Sequence, residues 1–103
     1  MITELTSDPG MAVSTDAPAI VVFYATWCGD CKRSLLYEKK LSDEFTGKLN
    51  FYRMDAEKFE SVADQYWVEN YPTYVFFKNG KANKKILVEP GSEEEVRSWI
   101  IGL

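Results

Sequence analysis

Val21-Val22-Phe23-Tyr24-Ala25-Thr26-Trp27-Cys28-Gly29-Asp30-Cys31-Lys32 is the stretch on which the fold is read. With Ala19-Ile20 leading into it, the run to Tyr24 is continuously apolar, β-branched and aromatic, the pattern of a strand buried on both faces. From about Cys28 to Thr46 the pattern turns helical. Tyr37, Leu41 and Phe45 fall four apart, and Leu35 and Leu36 widen the apolar stripe. A buried strand therefore feeds directly into a helix, and two cysteines stand at the junction. Cys28 is presented at the helix N-terminus, where unpaired backbone N–H groups and the positive dipole end favour a thiolate. Gly29 lets the chain turn tightly. The spacing of Cys28 and Cys31 within one helical turn brings both sulfurs into bonding range. A thiolate that attacks and a second thiol that resolves are the minimal machinery of thiol–disulfide exchange.

The chain on either side alternates in the same way. Met1 to Leu5 is weakly strand-like, and Ser7-Asp8-Pro9 starts a helix that Gly10 keeps short. Phe51 to Met54 is a second buried-type strand ending at Asp55, and Phe59, Val62, Ala63 and Tyr66 follow the spacing of an amphipathic helix. Thr73 to Phe77 is a strong strand. Asn79-Gly80 supplies the two left-handed residues of a tight hairpin, and residues near Lys84 to Val88 return as the partner strand. Pro90-Gly91 breaks the chain, and Ser92 with Glu95 forms a capping box for a last helix carrying Val96, Trp99 and Ile100. The acidic run Glu93-Glu94-Glu95 suits the N-terminus of that helix. The order β, short α, β, α, β, α, β, β, α predicts an α/β fold with a central mixed sheet and helices on both faces. Nothing reads as a linker, a repeat or a low-complexity tract, so residues 1–103 are expected to form one domain.

Composition narrows the function classes. The chain has 103 residues, 46% hydrophobic and 15% aromatic, enough to fill a real core without staples. A net charge of −4 argues against a nucleic-acid binder, whose phosphate contacts need a basic face. There is no histidine, which removes every His-based triad, every His-ligated metal site and the commonest general base. The opening MITELTSDPGMAV holds no basic cluster and no apolar run of signal-peptide length, and no stretch approaches the roughly 18 apolar residues of a membrane span. The expected setting is the cytoplasm, with no membrane partner.

Two other readings of the cysteine pair stand beside the redox one. Cysteine is often a small buried core residue. The pair is also half of a zinc site, which two carboxylates or a partner chain would have to complete. Lys32 and Arg33, in the first helical turn, read either as a solvated face or as electrostatic support for a Cys28 thiolate.

The strand Val21-Val22-Phe23-Tyr24-Ala25, then Trp27-Cys28-Gly29-Asp30-Cys31-Lys32, then Tyr71-Pro72-Thr73, then Phe77-Lys78-Asn79-Gly80 occur in the order and spacing of the thioredoxins. The sequence resembles that family over nearly its whole length. The resemblance implies the thioredoxin fold: a mixed five-stranded sheet, made of a four-stranded core and an N-terminal strand. It implies that Cys28 is the nucleophile, Cys31 the buried resolving thiol, and Cys28-Cys31 the redox disulfide. It implies a cis Pro72 beside them, with Tyr71 offering backbone hydrogen bonds to an extended substrate. Trp27, Tyr71, Pro72 and Thr73 are thereby expected at the substrate surface, and Trp27, Gly29, Asp30 and Lys32 in the active-site motif.

The departures from the family pattern are specific. Asp30 stands where thioredoxins typically carry proline. Their buried strand carboxylate falls at Val22, the lysine near it at Phe51, and the proline that kinks the active-site helix at Leu36. The glycine late in the substrate groove has no clean counterpart, since Gly91 comes a few residues late. The chain reads as a divergent thioredoxin, a monomeric reductase of protein disulfides. It is expected to bind no cofactor or metal and to draw electrons from a separate NADPH-dependent thioredoxin reductase. The rival expectations are a dedicated glutaredoxin-like donor to one reductase or peroxidase, a non-catalytic binding module on the same scaffold, and an iron–sulfur carrier built from two chains.

Overall fold

In the computed structural model, which describes residues 1–12 and 17–103, the chain runs β1 (Ile2–Glu4), α1 (Pro9–Ala12), β2 (Ala19–Tyr24), α2 (Gly29–Glu44), β3 (Asn50–Asp55), α3 (Glu60–Gln65), β4 (Thr73–Lys78), β5 (Lys81–Val88) and α4 (Glu93–Ile101). Val13, the last residue of the opening stretch read for a signal peptide, lies outside the described residues. The strands form one mixed sheet in the order β1-β3-β2-β4-β5. β2 runs parallel to β3 and antiparallel to β4, which places it at the centre and explains its uninterrupted apolar sequence.

Alternate residues of β2 feed two separate cores. Val21 and Phe23 pack with Met54, Val75, Phe77 and Ala63, on the side covered by α3. Ile20 and Val22 pack with Phe51, Tyr74, Phe76, Leu41, Val96 and Ile100, on the side covered by α2 and α4. The helices pin one another at one end. The Arg97 guanidinium of α4 donates to Glu44 of α2 at 2.8 and 2.9 Å and to Glu93 at 2.7 Å, which anchors the C-terminal end of α2.

Three expectations change in detail. The returning hairpin strand begins at Lys81, next to the turn, and not near Lys84. Asn79 (φ 55°) and Gly80 (φ 77°) take the left-handed conformations of the turn, so pairing starts at once with Lys78 opposite Lys81. The run Lys81–Lys85 carries no apolar alternation because β5 is an edge strand, and a register shift opposite Val75–Phe77 lets it continue past Lys84 (φ 64°). Second, Leu36 does not widen an apolar stripe on α2: it is 73% exposed. The face of α2 turned to the sheet consists of Cys31, Ser34, Glu38, Leu41 and Ser42. Third, Ser92 Oγ accepts the Glu95 N–H at 3.2 Å as expected of a capping box, but the Glu95 carboxylate reaches Gly91 N–H (2.9 Å), one residue further out.

Candidate active site

The chain leaves β2 at Tyr24 and enters α2 at Gly29, and Cys28 is the N-cap between them. Its backbone is extended (φ −77°, ψ 113°), as an N-cap requires, and its Sγ accepts the Cys31 N–H at 3.2 Å. Sulfur thus occupies the place usually filled by a Ser or Asp oxygen. Negative charge on Cys28 Sγ is directly favoured by that N–H and by the helix dipole behind it. The Cys28 thiol also points to the Tyr71 carbonyl, 3.7 Å away. Both thiols are free, and both are nearly buried: 6% exposed for Cys28 and 4% for Cys31. Cys31 lies deeper along the helix. Burial pushes its thiol up to about 12, and its hydrogen bond to Cys28 with repulsion from Cys28 and Glu38 adds to the rise.

Tyr71 and Pro72, joined by a cis bond, face this N-cap from the loop before β4. Trp27 stands 65% exposed beside them, edge-to-face with the Tyr71 ring at 5.9 Å. A groove of about 370 Å³ runs between Trp27, Cys28, Asp30, Tyr71, Glu69 and Glu89. Glu89 borders it with a left-handed backbone (φ 46°), and its N–H donates to the Pro72 carbonyl at 2.9 Å. A non-glycine residue thus holds the conformation that glycine adopts most readily.

The residues singled out in the sequence separate into two groups here. Trp27, Cys28, Gly29, Asp30 and Tyr71 line one groove. Thr73 does not join them. It is fully buried, its Oγ1 donates to Asn70 O at 2.6 Å, and its backbone is paired with Phe23 on one side and Val88 on the other. Its place is behind the groove, where it holds the Tyr71–Pro72 loop in position. Asp30 and Arg33 form an exposed ion pair across one turn, so the Asp30 charge beside Cys28 is shared with a guanidinium. Lys32 is exposed.

A buried polar cluster behind Cys31 was not read from the sequence. Glu38 is 1% exposed, and the Tyr74 hydroxyl, itself fully buried, donates to its Oε2. The Ser34 hydroxyl, next along the same helix face, donates to the Cys31 carbonyl at 3.1 Å. Arg53 of β3, opposite Val22 in the sheet, adds a favourable charge. Burial nonetheless raises the Glu38 carboxyl above the usual glutamate range, against the opposing influence of Ser34, the Tyr74 hydrogen bond and Arg53. Arg53 lies over the Tyr24 ring at 3.8 Å, and its Nε is buried without a hydrogen-bond partner. The signal for this cluster was helical spacing: 31, 34, 38 and 41 trace one face of α2, but two of the four are polar and a search for apolar periodicity passes over them.

Among the described residues, no group of three or more His, Cys, Asp or Glu is placed to hold a metal ion, and no helix is long and apolar enough to cross a membrane. The thioredoxin family model matches residues 8–101. Thioredoxin-1 of Saccharomyces cerevisiae is 35% identical over 89 residues, covering 84% of this chain and 85% of the yeast protein. The chloroplastic thioredoxin Y of Oryza sativa subsp. japonica is 39% identical over 67 residues, covering 65% of this chain; the match spans 40% of the rice protein's length. The crystal structure of the germline-specific thioredoxin Deadhead from Drosophila melanogaster superimposes with a TM-score of 0.79 at 27% identity, covering 90% of this chain and 87% of that one. The mixed sheet and its flanking helices are therefore the thioredoxin fold.

Proposed function

The chain belongs to the thioredoxin family, and from that premise we propose that it is a thiol–disulfide oxidoreductase that reduces protein disulfides. Cys28 thiolate attacks one sulfur of a substrate disulfide, forms a Cys28–substrate disulfide and releases the other substrate sulfur as thiolate. Cys31 then attacks Cys28 Sγ, which closes the Cys28–Cys31 disulfide and releases the second substrate thiolate. Two electrons pass to the substrate. The observation that carries this reading is the N-cap: Cys28 Sγ held by the Cys31 N–H at the open end of a groove.

An extended substrate segment fits along Tyr71, with the exposed Trp27 ring as an apolar contact. The protein works as a monomer, binds no cofactor of its own and is returned to the dithiol by an NADPH-dependent thioredoxin reductase. The cytoplasm, which keeps thiols reduced, is the compartment we assign it.

The test is turnover of a protein disulfide with three donors in parallel: dithiothreitol, NADPH with thioredoxin reductase, and glutathione. Reduction with the first two and little with glutathione is the expected result. Preference for glutathione would make it a glutaredoxin-like donor instead. No reduction with any donor would leave a binding module, and a coloured, iron-containing dimer would replace the redox reading altogether.

A further inference from the structure

The groove beside Cys28 is not electrically neutral. Of the charged residues that line it, Asp30, Glu69 and Glu89 are acidic and Arg33 alone is basic. Arg33 is already paired with Asp30, so those two charges largely offset each other. Glu69 and Glu89 are exposed, and among the described residues neither has an ion-pair partner. Both border the Tyr71–Pro72 segment that faces the nucleophile. Glu69 precedes Tyr71 by two residues, and the Glu89 N–H donates to the Pro72 carbonyl at 2.9 Å. The backbone of Glu89 is left-handed (φ 46°), so a charged side chain stands where the backbone by itself favours none.

The same sign continues around the groove. A second groove of about 410 Å³ shares Asp30, Arg33 and Glu89 with the first and adds Glu93, which Lys40 and Arg97 engage. At Tyr71, burial holds the hydroxyl proton on more tightly, and Glu57, Glu60, Asp64 and Asp55 add to that hold. The nearby cations lie elsewhere. Lys58 stands over the Phe59 ring at 5.8 Å, and Lys32 is exposed and lines neither groove.

We propose that the groove selects disulfides whose cysteine is flanked by lysine or arginine, with Glu69 and Glu89 setting the preference. The proposal rests on the disulfide-reductase reading above and names its substrate class. Cys28 and the Tyr71–Pro72 segment define the groove, and the carboxylates decide which segment enters it best. In an extended substrate, successive side chains point to opposite faces. When the substrate cysteine turns toward Cys28, the residues two places away on either side therefore turn toward the groove as well. A basic side chain there meets an unpaired carboxylate, and an acidic one meets repulsion. Because Glu69 and Glu89 are exposed, each pairing adds a factor of about two to five, and salt screens it. The exchange itself is unchanged. Cys28 thiolate bonds to the substrate sulfur, the substrate S–S bond breaks, and its electron pair leaves with the other sulfur.

The test uses three single-cysteine peptides with lysine, glutamine or glutamate two places before and two places after the cysteine. Each cysteine is activated as its 2-pyridyl disulfide. Attack by the reduced protein on the peptide sulfur releases 2-thiopyridone, which is followed by absorbance. Each rate is divided by that of 2-mercaptoethanol on the same peptide, which removes the peptide's own reactivity. At low ionic strength the lysine peptide should exceed the glutamate peptide by about tenfold, with glutamine between them. In about 1 M salt the ratio should fall below about twofold. Glu69→Gln and Glu89→Gln should each lower the low-salt ratio about two- to fivefold. Asp43→Asn removes the same charge at the other end of α2, about 20 Å from Cys28, and should lower it less than about 1.5-fold. A parent ratio within about twofold at low salt overturns the proposal while leaving the function intact. So does a ratio that both groove variants leave unchanged, or one that Asp43→Asn lowers as much as they do. Absence of thiopyridone release from every peptide would instead refute the function.

Discussion

Cys28 and Cys31 lie one helical turn apart, but their surroundings are opposites. Cys28 faces outward into a groove whose rim is exposed and charged: Trp27 is 65% exposed, and Asp30 and Arg33 pair in solvent. Cys31 is turned inward and packs with Ala25 and Cys28, and further along α2 lies a buried polar cluster of Ser34, Glu38 and Tyr74. On the rim, charges are screened and single substitutions act weakly. Behind Cys31 the same charges act in a low dielectric and with fixed partners, so each change is felt in stability and proton affinity together. One thiol is governed by access and the other by burial.

The sharpest break of that contrast comes from the thiols themselves. Cys28→Ser should abolish disulfide reduction, because no thiolate remains to attack. Cys31→Ser should leave attack intact and accumulate Cys28–substrate disulfides, which mass spectrometry identifies. If alkylation labels Cys31 before Cys28, the roles are reversed and the buried thiol is the one that reaches substrate.

Next in size is Tyr74→Phe. Its hydroxyl is fully buried and donates to Glu38, so removing it leaves a buried carboxylate one partner short. A loss of about 1 to 3 kcal/mol in denaturant unfolding is expected. A loss below about 0.5 kcal/mol would mean that Ser34 or water satisfies Glu38 alone, and that the back of the site is wetter than its burial suggests.

The pH dependence of stability tests the same cluster with a definite sign. Burial, outweighing Ser34, Tyr74 and Arg53, raises the folded-state affinity of Glu38 for its proton. The folded chain then binds this proton more tightly than the unfolded chain does. The contribution is fully present below the ordinary glutamate range and is lost as pH rises through the elevated folded value. Glu38→Gln should therefore be less stable than the parent in acid relative to its standing at neutral pH. Parallel stability–pH curves for the two proteins would place the Glu38 carboxyl in contact with water.

What the sequence revealed follows the same division. The order of elements, the central β2 and the hairpin at Asn79-Gly80 were legible because apolar runs and left-handed turn residues are local signals. The rim of the site was legible because Trp27, Cys28, Gly29 and Tyr71-Pro72 form short contiguous motifs. Thr73 was misplaced since a motif gives neighbourhood without direction: adjacent residues on a strand face opposite ways, and Thr73 turns to Asn70. The Glu38 cluster was hidden for a different reason. Its members come from α2, β3 and β4, and a Glu amid Lys39, Lys40 and Tyr37 reads as solvated surface until the helix is docked on the sheet. Leu36 shows the converse, an apolar residue that docking leaves in water.

The smallest effect is expected on the rim, at Asp30, although this residue most distinguishes the motif. Taken alone, its carboxylate in the first turn of α2 would favour the helix dipole and oppose charge on the neighbouring Cys28 sulfur. The structure pairs it with Arg33, and both side chains are largely exposed, at 60% and 72%. A shared charge in high dielectric, close to an N-cap whose N–H already holds the sulfur, has little left to add. Asp30→Asn removes the charge and nearly keeps the shape, but it also frees the Arg33 guanidinium, which then adds a positive charge to the same rim. Both changes favour a thiolate, so alkylation of Cys28 should quicken, by less than about threefold. The gain should shrink as ionic strength rises, because both groups lie within reach of counter-ions. A slower alkylation would show that Asp30 matters through the shape of the helix end. A tenfold or larger gain that survives high salt would erase the contrast between the two thiols, since the rim would then be electrostatically as strong as the buried cluster behind Cys31.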